Sequence, residues 1–84
     1  MSNDDDSTYR PIPCADYDRF ERAIMHGQQL RVAWRTADGS CHLNVLYPLD
    51  LQTQNHQEFL VAITRQGERV KIRLDQIAAL HAMD

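Results

Sequence analysis

Leu30-Arg31-Val32-Ala33-Trp34-Arg35-Thr36-Ala37-Asp38-Gly39-Ser40-Cys41-His42-Leu43-Asn44-Val45-Leu46-Tyr47 is the stretch that decides the fold class. Leu30, Val32 and Trp34 alternate with Arg31, Ala33 and Arg35, the period of two expected of a half-buried strand. Asp38-Gly39 is a strong tight-turn signal, and Cys41, Leu43, Val45 and Tyr47 resume the alternation beyond it. These residues predict two antiparallel strands joined as a hairpin.

On the N-terminal side the period changes. Between Cys14 and His26 the apolar residues Tyr17, Phe20 and Ile24 fall at i, i+3 and i+7, one stripe of a helix, and Gly27 supplies its C-terminal stop. Asp16 and Asp18 lie near the helix start, where the positive end of the dipole favours carboxylates. Before the helix, Tyr9-Arg10-Pro11-Ile12-Pro13 carries two prolines that hold the chain extended. Residues 1–8 are polar and acidic without periodicity, which predicts a flexible tail ahead of a single domain over 9–84.

On the C-terminal side, Pro48 disfavours an unbroken central strand, so a bend or edge is expected over 48–51 and a polar loop over 52–57. Phe59-Leu60-Val61-Ala62-Ile63 is a continuous apolar run that ends at the Gln66-Gly67 turn. Val70, Ile72 and Leu74 then alternate, which predicts a second hairpin. Asp75-Gln76 interrupts the pattern, and a final strand from Ile77 is preferred to a short closing helix. The expected fold is mostly β with one N-terminal α-helix, a small bent antiparallel sheet or barrel of about five strands that limits its exposed edges.

The net charge of −3 comes wholly from the first 26 residues. Asp4, Asp5, Asp6, Asp16, Asp18 and Glu21 outweigh Arg10, Arg19 and Arg22 there, and the remainder is balanced. A protein that holds nucleic acid through phosphates usually carries a basic patch. Arg69, Lys71 and Arg73, alternating on one face of a strand, are the only approach to one, and an ordinary solvated face explains them as simply. They define the alternative reading, an RNA-binding module.

Enzyme chemistry is not expected. His26, His42, His56 and His81 are scattered, and Cys41-His42, as strand neighbours, point to opposite faces, so no metal site is predicted. Cys14 sits where a helix start lowers a thiol pKa, yet nothing in the sequence places a base beside it. Gly27, Gly39 and Gly67 fall at turns or caps, leaving no phosphate-cradling loop and no cofactor site. No apolar run approaches the ~20 residues of a membrane span, and the N-terminus lacks the basic and hydrophobic regions of a secretion signal. A cytoplasmic protein with free thiols is the expectation.

The string Tyr9-Arg10-Pro11-Ile12-Pro13-Cys14-Ala15-Asp16-Tyr17-Asp18 resembles the opening signature of the Rof family, the Rho-specific inhibitors of bacterial transcription termination. Glu58-Phe59-Leu60-Val61 and Ile72-Arg73-Leu74-Asp75-Gln76-Ile77 are similar to that family's aromatic strand and closing Arg-Leu-Asp motif, in order and spacing. The resemblance implies an Sm-like fold and an inhibitor that binds the RNA-binding N-terminal region of the Rho hexamer and blocks RNA loading. Asp16, Asp18 and Glu21 match its acidic positions, whereas Ala15 stands where some relatives are acidic.

On a helix, Asp18 and Glu21 share a flank and Asp16 lies across the apolar stripe. Asp18 and Arg22 are also spaced for an i, i+4 ion pair. Exposed ion pairs contribute about 0.2–1 kcal/mol each and micromolar affinity requires about 8, so apolar anchors must contribute. Tyr9, Ile12 and Met25 flank the acids and are the candidates.

Overall fold

The computed structural model describes residues 12–83. One helix, α1 (Cys14–His26), precedes five strands: β1 (Leu30–Arg35), β2 (Cys41–Gln54), β3 (Gln57–Thr64), β4 (Arg69–Arg73) and β5 (Ile77–Ala82). All pairings are antiparallel in the order β4-β3-β2-β1-β5. The tail expected over 1–8, together with Tyr9, lies outside the described residues.

The helix spans the stretch its periodicity predicts. Phe20 and Ala23 are fully buried, while Tyr17 packs against the edge of the core and Ile24 is half-buried. At its C-terminus Gly27 adopts φ 62°, its N–H donating to the Ile24 carbonyl while that of Gln28 donates to Ala23 at 2.9 Å. That paired motif satisfies two carbonyls that the helix leaves open. Phe20 alone contributes roughly 1.5–3 kcal/mol by its burial.

The bend expected over 48–51 is present, but the loop expected over 52–57 is not. No loop separates two strands there: β2 continues through Pro48 to Gln54 and turns back at once, with Asn55 and His56 both at positive φ. Two positive φ values make the mirror-image turn that suits hairpins, here without the usual glycine. Pro48 is tolerated because β1 ends opposite Leu46, so β2 beyond that point has a strand on one side only. A bulge between Pro48 and Asp50 adds a residue and bends the strand.

That bend lets one long strand serve two parts of a curled sheet. Laid flat, five strands spaced at about 4.8 Å would hold β4 and β5 about 19 Å apart. Only the 3₁₀ turn Leu74–Gln76 joins them, at about 2 Å of rise per residue. The sheet therefore curls until its edges approach without closing, a fit to a small Sm-like bent sheet. Inside the curl, Phe20 and Ala23 meet Leu30, Val32, Leu46, Leu60, Ala62, Ile72, Leu74 and Leu80.

Candidate functional site

The helix packs on β2, and its exposed flank carries Asp18 and Glu21, with Met25 78% exposed beyond them. Tyr17 marks the seam between this flank and the sheet. Partial burial raises its phenol above the ordinary tyrosine range, and the charges of Glu58, Glu21 and Asp50 raise it further. Charges on three elements thus act on one phenol: Glu21 on α1, Asp50 on β2 and Glu58 on β3. Asp50 also accepts the Leu51 N–H at 2.9 Å, which fixes its carboxylate beside the bulge.

The sequence-derived residues divide by environment. Asp18, Glu21 and Met25 lie on the open flank. Asp16 is half-buried, 3.9 Å from the Arg19 guanidinium, whose other nitrogen donates to the Leu80 carbonyl at 3.1 Å. This places Asp16 in a fastening between helix and β5, and the helix ion pair is Asp16–Arg19 where the spacing had suggested Asp18–Arg22. Ile12 packs against the core. Asp50 and Glu58 escaped the sequence reading because their influence on Tyr17 acts between separate elements, which no local pattern records.

The alternative face is less available. Arg69, Lys71 and Arg73 do share one side of β4, opposite Ile63, Val61 and Phe59. Lys71, however, lies 4.7 Å over the Phe59 ring and donates to the side-chain amide oxygen Oε1 of Gln54. The Arg73 Nε lies 2.6 Å from the Asp75 carboxylate, with both side chains largely covered. Arg73 accordingly ties β4 to the turn that leads into β5.

Cys14 and Cys41 are free and exposed. Among the described residues no three His, Cys, Asp or Glu side chains gather as a metal-holding group, and no helix is long and apolar enough to cross a membrane. His42 stacks on Trp34 with ring centroids 5.3 Å apart and planes at 16°.

In fold the chain is similar to part of a proteasome accessory factor B/C (PafBC) of Arthrobacter aurescens, with a TM-score of 0.75 and 19% sequence identity. The match covers 89% of this chain and 12% of that one, and at this identity the likeness is one of fold. No family model and no curated protein matches the chain.

Proposed function

We propose that this protein inhibits transcription termination by docking the acidic flank of α1 on the RNA-binding N-terminal region of Rho, so that RNA cannot load. The observation that carries the reading is the exposed helix flank that bears Asp18, Glu21 and Met25, whose negative field is joined by Asp50 and Glu58, since these two and Glu21 all act on the Tyr17 phenol. A site that attracts phosphates also attracts such a surface, and converging charge raises the encounter rate more than it strengthens the final contact.

The Tyr9–Asp18 and Ile72–Ile77 signatures support the same reading by resemblance. Met25, exposed next to the acids, supplies the apolar contact that carboxylates alone cannot replace. The engagement of Lys71 and Arg73 within the fold weighs against an RNA-binding module as the second reading.

Titration into Rho carrying labelled RNA at its N-terminal site tests this. Displacement at low salt is expected, and Asp18→Lys with Glu21→Lys should slow association about tenfold or more while changing dissociation less. Retention of RNA by Rho at saturating protein would overturn the reading. So would tight, salt-sensitive binding of the RNA by this protein in the absence of Rho.

A further inference from the structure

Among the described residues, no element lies over the outer face of the sheet, opposite the helix. Along β5, β1 and the first half of β2, the side chains pointing outward include His81, Arg31, Arg35, Leu43 and Tyr47, and among the described residues none of the outward positions on this stretch is a carboxylate. The register sets His81 beside Arg31 and places Leu43 opposite Ala33. Leu43 is 68% exposed and Tyr47 40%. In a chain of net charge −3, this face is both cationic and apolar.

A like-charged face cannot pair with its own copy across a two-fold axis without setting guanidinium against guanidinium. Single-stranded nucleic acid is held mainly by stacking on aromatic rings, and this stretch offers a single outward phenol ring, Tyr47, two positions past the aliphatic Val45. Its composition of arginine, tyrosine and leucine belongs to a protein contact whose partner is acidic and carries an apolar side chain. The molecule holds a surface of that description on its opposite side: Asp18 and Glu21 with the exposed Met25.

We propose that the protein associates head to tail with a second copy, the helix flank of one protomer seating on the arginine-bearing sheet face of the next. Carboxylates meet Arg31 and Arg35, and Met25 covers Leu43, which the register sets between them opposite Ala33. Because the two surfaces differ and lie on opposite faces, each added protomer leaves one of each free, so the assembly grows with concentration and does not close as a dimer. The association occupies the flank assigned above to Rho, and so holds the protein in a reserve form that a tighter partner draws apart. It rests on the geometry of that flank and not on Rho being the partner.

Sedimentation velocity of the full chain alone, from about 20 µM to about 1 mM, tests the proposal by mass action. The weight-average sedimentation coefficient should rise with concentration at low salt, and the association constant should fall about tenfold or more at about 0.5 M salt. Arg31→Glu with Arg35→Glu should abolish the rise, as should Asp18→Lys with Glu21→Lys, circular dichroism showing each variant folded. Mixed together, these two variants should associate again and grow with concentration, because the native carboxylates of one meet the native arginines of the other and the introduced lysines meet the introduced glutamates.

A chain that stays monomeric at about 1 mM and low salt overturns the proposal. Association that survives both pairs of substitutions does the same. Binding of an oligouridylate to the sheet face, lost in the Arg31→Glu, Arg35→Glu variant, would assign the face to nucleic acid instead. Failure to displace RNA from Rho, with self-association intact, would overturn the functional reading alone.

Discussion

Asp38 sits in the first hairpin turn, where its carboxylate accepts the Thr36 hydroxyl and the Ser40 N–H, the latter at 3.0 Å. These bonds, the Thr36 bond foremost, hold it down at about 2. The unfolded value is near 3.9, so the charged form is the one that folding favours. Its stabilising effect is therefore complete above a pH of about 4 and is lost as pH falls through about 2. Comparing urea midpoints of the wild type and Asp38→Ala should give a constant gap from about pH 5 to 7 that closes below about pH 4 and vanishes near 2. At this scale the sequence was informative where a residue's partner is local, as in Asp38-Gly39-Ser40. It was silent where the partner is distant, as for Glu58 and Tyr17.

The elements follow from periodicity wherever periodicity is clean. Residues Cys14–His26 form the expected helix, both hairpins are present, and Ile77 opens a strand and not a helix. The bend or edge expected at Pro48 is there, as a bulge on a stretch paired on one side only, whereas the loop expected over 52–57 is strand, because its pairing with β3 is a fact about the neighbouring strand that no local pattern contains. Likewise Asn55-His56 makes a tight turn without the glycine by which such turns are recognised. At the helix end the glycine is the signal. A Cβ at Gly27 would meet nothing within 4 Å, so Gly27→Ala is disfavoured by its φ of 62° alone. It should cost about 1 kcal/mol, and Gly27→Asn less, as measured by thermal or denaturant unfolding.

For the whole molecule, the corner between β4 and β5 carries the curl. The Arg73–Asp75 pair is largely shielded from water, with side chains 15% and 10% exposed, so removing one partner takes away a short charge-assisted contact in a poorly screened place. Asp75→Ala should destabilise the fold by about 3 kcal/mol and Asp75→Asn by less, read from denaturant midpoints. An Arg73 required for stability would also confound any RNA-binding assay that removes it. The Arg-Leu-Asp string could be quoted from the sequence, but its task at the corner emerges only once β4 and β5 are known to be opposite edges of one sheet. That arrangement has a kinetic side. From β1 to β4 each strand pairs with its neighbour in the chain and can zip up hairpin by hairpin, whereas β5 must find β1 across an intervening loop of some 40 residues, at an entropic cost that grows slowly with loop length. Until β5 arrives, β1 is an open ladder that the β5 of another molecule fits equally well, which makes strand exchange the misfolding route to watch when the chain is refolded at high concentration.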